Sequence, residues 1–334
     1  MKALKRFAVV GAGAWGTALA LVATRAGRQA ILWAREREVV EQIIHKRENA
    51  AFLPGIVLEP RFAVTDEIRA AIEEVEAVIF AVPAQFLRAM LADVGRYVPP
   101  GAVLVLAAKG IERASGALLS EAIAEALPKH PLAVLSGPSF AAEVAKGLPT
   151  AVTVAARDIE TADLVSQALS GRTFRPYHAD DPVGVEIGGA VKNVIAIACG
   201  VVVGRGLGEN ARAALLTRGL AEMTRLGVAK GAKAETFMGL SGLGDLALTC
   251  GSPQSRNMSL GVALGQGKTL DEILGARRSV AEGVATAPAV LALAKKLGVD
   301  MPISAAVDAV LHKGADIDKT IEGLLARPLK AEGQ

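Results

Sequence analysis

Residues 7–33 read FAVVGAGAWGTALALVATRAGRQAILW. A short apolar run, FAVV (7–10), meets a glycine-rich turn and then the helix-like stretch TALALVATRA, which Gly27 stops. QAILW (29–33) follows as a second apolar run. Gly11, Gly13 and Gly16 form a G-x-G-x-x-G directly after the first strand and at the opening of the helix. There the first glycine permits the tight turn, the second lets a pyrophosphate approach the backbone, and the third lets helix and strand pack closely. The helix N-terminus attracts the anion. Strand, loop, helix and second strand in this succession predict a dinucleotide site, which the glycines alone would not.

The pattern repeats outward from that unit. AVIFAV (77–82), AVLVLAA (102–108), LAVLS (132–136) and TAVTVAA (150–156) are further apolar runs, each followed by a turn and a helical stretch. Continuous apolar strands separated by helices indicate a parallel sheet covered on both faces. From Val183 onward the periodicity is helical, with glycine and proline stops. In 209–231, Ala213, Leu216, Leu220 and Met223 fall on one stripe. The predicted fold is therefore α/β: an N-terminal Rossmann-like doubly wound parallel sheet over 1–180, and an all-α C-terminal domain over 181–334. The join lies near 178-HADDPVG-184.

The bulk numbers agree with two soluble domains. The chain has 334 residues, 51% of them apolar, which suffices for two folded cores. Its 37 basic and 34 acidic residues leave a net charge of +3, too mild and too dispersed to suggest nucleic acid. Cys199 and Cys250 form neither a CxxC nor a metal-ligand pattern. They read as small buried residues in a reducing cytosol, so no metal and a cytoplasmic location are expected.

The stretch 188-GGAVKNVIAIACGVVVG-204 is about long enough to span a bilayer. It carries a central Lys192, Asn193 and four glycines, and a mid-membrane lysine costs about 2.5–3.5 kcal/mol. It reads as a buried helix, and no integral membrane segment is expected. Gly188, Lys192, Ala196, Gly200 and Gly204 recur every four residues, so they share a row. Small residues in that row suit a closely packed second helix around Gly200 and Gly204, and a ligand near Lys192.

Polar residues cluster where an open α/β sheet holds its ligands, beyond the strand ends. Pro83 and Gln85 follow one strand, Lys109 and Gly110 the next, and Ser136-Gly137-Pro138-Ser139 a third. Arg35, just after the second strand, suits the 2′-phosphate of NADPH; the alternative is a solvated arginine with Glu36 accepting from a ribose. In 241-SGLGDLALTCGSPQSRNMSLG-261, a glycine-rich frame holds Asp245, Thr249, Ser255, Arg256 and Asn257. The Ser-Arg-Asn run offers a donor set suited to phosphate, or else a helix entry capped by Ser255.

Five motifs together resemble the bacterial NAD(P)-dependent glycerol-3-phosphate dehydrogenases. They are GAGAWGTALA (11–20), AAKGI (107–111), LSGPSFAAEV (135–144), AVKNVIAIA (190–198) and TFMGLSGLGDLALTCGSPQSRN (236–257). Residue 14 is alanine where serine is frequent. The resemblance implies a 6-phosphogluconate-dehydrogenase-like fold and reduction of dihydroxyacetone phosphate to sn-glycerol 3-phosphate with NADPH or NADH, NADPH preferred. By the same resemblance, Gly11, Gly13, Ala14, Trp15, Gly16, Arg35, Lys109, Ala141, Arg256, Val280 and Glu282 lie along the cofactor. Lys109, Gly137, Ser139, Lys192, Asp245, Ser255, Arg256 and Asn257 meet the substrate, and Lys192 matches the proton donor and acceptor. A homodimer through the helical domain stays open.

That chemistry suits a buried lysine. Negative charge grows on the ketone oxygen, and a cation there must also deliver a proton. Desolvation and Lys109 favour release of that proton, while a carboxylate such as Asp245 opposes release and orients the ammonium. Two alternatives remain open on the residues alone. One is a 3-hydroxy acid or ketopantoate-type reductase, which would not need SPQSRN; the other is a dinucleotide-binding regulator without catalysis.

Overall fold

The computed structural model describes residues 3–275, 281–329 and 331. Eight strands form one sheet: β1 (Arg6–Val10), β2 (Gln29–Trp33), β3 (Ala63–Thr65), β4 (Ala77–Phe80), β5 (Val103–Leu106), β6 (Leu132–Ser136), β7 (Thr150–Ala156) and β8 (Phe174–Ala179). Their order is β3-β2-β1-β4-β5-β6-β7-β8, whose first six members have the doubly wound dinucleotide-binding order. Successive side chains of a strand point to opposite faces. Phe7 and Val9 enter the core on one face, Ala8 and Val10 that on the other, and all four are fully buried. Burial on both faces is why these strands read as unbroken apolar runs.

The sheet departs from the all-parallel expectation at one place. β6 and β7 pair antiparallel, with Ser136 opposite Thr153, whereas β7 and β8 are again parallel. The connection between β6 and β7 holds only a five-residue helix, Ala141–Ala145, so the chain re-enters the sheet at the end it left. β8, FRPYHA, is a half-exposed edge strand with Pro176 inside it, a position tolerated because an edge has one ladder unpaired.

The chain divides into two compact units, Met1–Lys109 with Leu118–Glu186, and Gly110–Ala117 with Ile187–Gln334. The division falls inside the long helix Pro182–Gly204, past the border read from the sequence, and it assigns Gly110–Ala117 to the helical unit. Lys296 Nζ donates to the Ser115 carbonyl at 2.7 Å, tying that segment to the helix Glu282–Leu297. The long helix is apolar enough to cross a membrane, but 78% of its most apolar window is buried inside the protein.

Glycine rows set the packing of the helical unit. A Cβ at Gly200 would lie 2.1 Å from the Met258 carbonyl oxygen, and one at Gly261 would lie 2.0 Å from that of Ile197. The helices Pro182–Gly204 and Arg256–Gly265 therefore touch backbone to backbone, as the small-residue row predicts. The stripe expected in the helix Glu209–Ala229 is corrected. Of its members only Met223 is fully buried and Ala213 is exposed, whereas Gly219 and Gly227 face inward. These glycines admit Ile195 and Phe237, whose side chains a Cβ would meet at 2.5 and 2.0 Å.

Two buried carboxyls make stability depend on pH. Glu186 accepts from the Ser120 N–H at 3.1 Å and from its hydroxyl; Glu222 accepts from Ile303 N at 2.6 Å and from Ser304 N at 3.2 Å. Burial outweighs these donors and pushes each carboxyl from 4.5 up to about 7. A carboxyl raised in the folded state binds protons that the unfolded chain releases, so its stabilisation is complete below about pH 4.5 and is lost as pH rises through about 7. In Glu186→Gln the amide keeps both Ser120 contacts and does not titrate. The fall in urea midpoint between about pH 5 and about pH 8 is expected to be smaller in that variant than in the parent. An equal fall would show that Glu186 does not carry the dependence.

Candidate active site

In the sheet unit the glycine loop separates what the fold needs from what a ligand needs. Gly11 has φ +112° and sits against the end of β4, where a Cβ would lie 3.0 Å from the Ala81 carbonyl carbon. A Cβ at Gly16 would lie 1.8 Å from the Gly11 carbonyl oxygen. At Gly13 a Cβ would meet nothing within 4 Å. Gly13 is also the N-cap of the helix Ala14–Arg25, has no side-chain cap, and leaves the first-turn N–H groups without intrahelical acceptors. An open face lined by unmatched N–H donors fits a pyrophosphate. Gly13→Val is accordingly expected to change the melting temperature of the ligand-free protein by no more than about 2 °C while weakening NADPH binding by about tenfold or more. Nucleotide affinity equal to the parent's in titration would remove the loop from the binding site.

Around the loop the structure gathers several of the expected residues. Trp15 Nε1 donates to the Ala107 carbonyl at 3.1 Å, tying the helix start to the end of β5. Lys109 Nζ donates to the Gly137 carbonyl at 3.1 Å, and Ser139 Oγ donates to the same oxygen at 2.9 Å. Gly137 has φ +143°, and a Cβ there would lie 2.9 Å from Val152 Cα, so only glycine bends the chain here. Ala14, Trp15 and Ala141 pack on the same core cluster. Arg35 is held by its neighbour: its Nε and Nη2 both donate to Glu36 Oε1, at 3.0 and 2.7 Å, with the arginine side chain 72% exposed. Such a solvated pair is worth about 0–1 kcal/mol, so an incoming phosphate can draw Arg35 away.

In the helical unit the centre is Lys192. Its ammonium donates to Asp245 Oδ1 and, at 3.0 Å, to Thr249 Oγ1; the lysine and aspartate side chains are 8% and 1% exposed. Thr249 Oγ1 donates in turn to Asp245 Oδ1 at 3.3 Å. The turn Leu240–Gly244, a single wide π-turn, delivers Asp245 to the start of the helix Asp245–Gly251. A Cβ at Gly242 would lie 2.1 Å from the Phe237 carbonyl oxygen, so the glycine-rich frame is what lets the turn close. Thr249, named in the sequence only as one polar residue among several, is one helical turn from Asp245, and that spacing was the available signal.

The Ser-Arg-Asn run opens the helix Arg256–Gly265. Ser255 is its N-cap, its Oγ accepting from Met258 N at 3.2 Å. Arg256 is exposed, whereas Asn257 is buried and bonded to Asn193 and to the backbone of Gly283. Glu282 begins the helix Glu282–Leu297. Val280 lies outside the described residues. Cys199 and Cys250 are free and buried, and the hydrogen bond with the Cys199 thiol, followed by burial, pushes the Cys250 thiol well up.

Residues 6–162 match the family described as the NAD-dependent glycerol-3-phosphate dehydrogenase N-terminus, and residues 181–322 match its C-terminus. The chain belongs to that family. It is 54% identical over 99% of both chains to a glycerol-3-phosphate dehydrogenase [NAD(P)+] of Parvibaculum lavamentivorans. It is 58% identical to the enzyme of that name from Rhodospirillum rubrum, over 99% of this chain and 95% of the relative. Among solved structures, glycerol-3-phosphate dehydrogenase of Coxiella burnetii superposes with a TM-score of 0.93 at 39% identity, covering 97% of this chain and 99% of that one. Each half of the NAD-dependent glycerol-3-phosphate dehydrogenase family thus has its counterpart here, the first holding the glycine loop and the second the Lys192 cluster.

Proposed function

We propose that the chain reduces dihydroxyacetone phosphate reversibly to sn-glycerol 3-phosphate with NADPH or NADH, in the cytoplasm, supplying glycerophospholipid synthesis. The observation that carries this reading is the buried Lys192–Asp245–Thr249 cluster in a chain of this family. A bound reduced nicotinamide supplies the hydride that reaches the ketone carbon. Lys192 Nζ then gives its proton to the ketone oxygen as negative charge grows there, and takes it back in the reverse direction. Asp245 and Thr249 hold the Lys192 nitrogen in one place, so the proton is delivered along a fixed direction.

In this reading the sheet domain, 1–180, binds the nucleotide and the helical domain, 181–334, binds substrate and carries catalysis. Gly11, Gly13, Ala14, Trp15, Gly16, Arg35, Lys109, Ala141, Arg256, Val280 and Glu282 serve the cofactor. Lys109, Gly137, Ser139, Lys192, Asp245, Ser255, Arg256 and Asn257 serve the substrate. Arg35 favours NADPH, because its partner Glu36 is exposed and readily exchanged for a 2′-phosphate. A homodimer would cover the exposed Val203 and Leu207 at the end of the long helix, and light scattering at twice the chain mass would report it.

The guanidinium of Arg256 is the proposed phosphate clamp. Arg256→Ala is expected to raise KM for dihydroxyacetone phosphate by about 10- to 100-fold with a smaller change in kcat, and an unchanged KM would take Arg256 out of the clamp. The function itself is tested by following NADPH oxidation with dihydroxyacetone phosphate, unphosphorylated dihydroxyacetone, ketopantoate and a 3-oxo acid. The phosphorylated ketone alone should support rapid turnover. Faster oxidation with either acid would make the chain a reductase of another class.

A further inference from the structure

Asn49 lies in the connection between the helix Arg37–Lys46 and β3, and its side chain is fully buried. That connection is closed on itself. Arg47, at φ +54°, accepts from Leu58 N at 2.7 Å, and its guanidinium donates to the carbonyls of Leu58 and Phe62, each at 3.4 Å. Leu53, Ile56, Leu58 and Phe62 are buried in the core cluster that also holds Ala12. A carboxamide delivered into such apolar surroundings is costly unless its N–H and carbonyl groups are matched.

Its partners lie on the glycine loop and the helix that follows it. Asn49 Nδ2 donates to the Ala12 carbonyl at 2.9 Å and to Thr17 Oγ1 at 2.8 Å, while Oδ1 accepts from Phe52 N at 3.3 Å. A carbonyl oxygen only accepts and a backbone N–H only donates, so these partners orient the amide. Ala12 stands between Gly11 and Gly13, and Thr17 is buried in the helix Ala14–Arg25.

The consequence follows from peptide geometry. In a planar trans peptide the carbonyl and the next N–H point in opposite directions. An Ala12 carbonyl drawn in to Asn49 therefore turns the Gly13 N–H away from Asn49. Gly13 has φ −65°, and turning the Ala12–Gly13 peptide over would carry it to positive φ, which glycine adopts readily. The glycine that leaves room for a pyrophosphate thus also admits an inverted peptide, with a carbonyl oxygen facing the anion. Inversion would strip the buried Asn49 amide of an acceptor, and that loss opposes it.

We infer that Asn49 is a positioning residue for the nucleotide: its carboxamide, anchored on Thr17, holds the Ala12–Gly13 peptide with the N–H turned towards the pyrophosphate. This role rests on the reading that the glycine loop binds the nucleotide, and the two can fail separately.

The test measures the Kd for NADPH by nucleotide fluorescence, the melting temperature of the ligand-free protein, and kcat at saturating NADPH. The variants are Asn49→Ala, Thr17→Val, Gly13→Val, and Gly13→Val with Asn49→Ala. Asn49→Ala should raise the NADPH Kd about tenfold, with kcat at saturation within about twofold of the parent. Thr17→Val keeps the asparagine and removes one of its two acceptors, so a rise of about threefold is expected. Should alanine at 49 prevent folding, Thr17→Val decides the matter, and an unchanged Kd there overturns the inference. Valine at 13 does not tolerate the positive φ of the inverted peptide. Adding Asn49→Ala in that background should therefore weaken binding by less than about twofold further. A lowered melting temperature with unchanged Kd in Asn49→Ala, or a full tenfold loss repeated in the Gly13→Val background, overturns the inference. NADPH affinity unchanged in Gly13→Val overturns the underlying reading and the inference with it. A normal loss in Gly13→Val with none in Asn49→Ala overturns the positioning role alone.

Discussion

Lys192→Ala is expected to lower kcat by about 10⁴-fold while the protein remains folded and binds NADPH within about twofold of the parent. The size follows from two losses at once. General acid catalysis is typically worth 10²–10⁴-fold, and a positioned charge at a developing oxyanion adds about 10²–10³. The two overlap in one group, so their product is an upper bound and about 10⁴ is the working figure. Nucleotide affinity should survive because Lys192, which donates to Asp245 and Thr249, is not among the residues proposed to serve the cofactor. The variant leaves Asp245 buried without its cation, which costs about 3–5 kcal/mol when the carboxylate must stay charged. Circular dichroism and a melting curve therefore accompany the kinetics. A folded variant with more than about a tenth of the parental kcat would refute the proton-transfer role.

The second large effect is structural. Gly261→Val should lower stability by about 3 kcal/mol or more, because the new side chain has nowhere to go. A Cβ at 261 would lie 2.0 Å from the Ile197 carbonyl oxygen and 3.0 Å from Gly200 Cα. Neither neighbour is a flexible side chain, so the two helices must separate. The contact is reciprocal along both helices, since a Cβ at Gly204 would meet the Val262 carbonyl oxygen at 2.3 Å and one at Gly265 that of Val201 at 2.6 Å. The clash therefore cannot be relieved by a local shift. A midpoint lowered by about 10 °C is the expected reading in thermal unfolding. Gly323→Ala is the control: its Cβ meets nothing within 4 Å, it lies in the helix Ile317–Leu325, and alanine there should hold or raise the midpoint. A midpoint for Gly261→Val within about 2 °C of the parent would mean that the helices are not held at backbone distance.

What the sequence revealed follows the physics of each signal. The strand–loop–helix–strand unit at 7–33 was legible because three constraints, apolar runs, glycine spacing and a helix stop, agree there. The contact of Gly200 and Gly204 was legible because a four-residue period of small side chains survives any choice of partner. β8 was not, because FRPYHA is an edge strand, and an edge needs neither apolar alternation nor a full set of N–H donors. β3, three residues long, carries too little pattern to distinguish from a loop. The antiparallel turn of β7 depends on how short the β6–β7 connection is, not on the composition of either strand.

The site divides in the same way. Lys192 stood out because a charge in an apolar helix requires a reason, and Asp245 supplies it. Thr249 was present among the polar residues of its segment, but its contact with Lys192 depends on the π-turn that sets the phase of the helix. The engagement of Asn257 was invisible, since an asparagine beside an arginine reads equally well as a phosphate donor or as a structural amide. Asn193 and Gly283, which its carboxamide bonds in the fold, are distant in sequence.

The central claim is tested most directly by the product. Purified protein is mixed with NADPH and dihydroxyacetone phosphate, and sn-glycerol 3-phosphate is quantified against NADPH consumed, for the parent and for Lys192→Ala. One molecule of sn-glycerol 3-phosphate per NADPH from the parent, and formation slowed to near background in the variant, is the predicted result. NADPH consumed by the parent without that product, or product formed at the parental rate by Lys192→Ala, would contradict it.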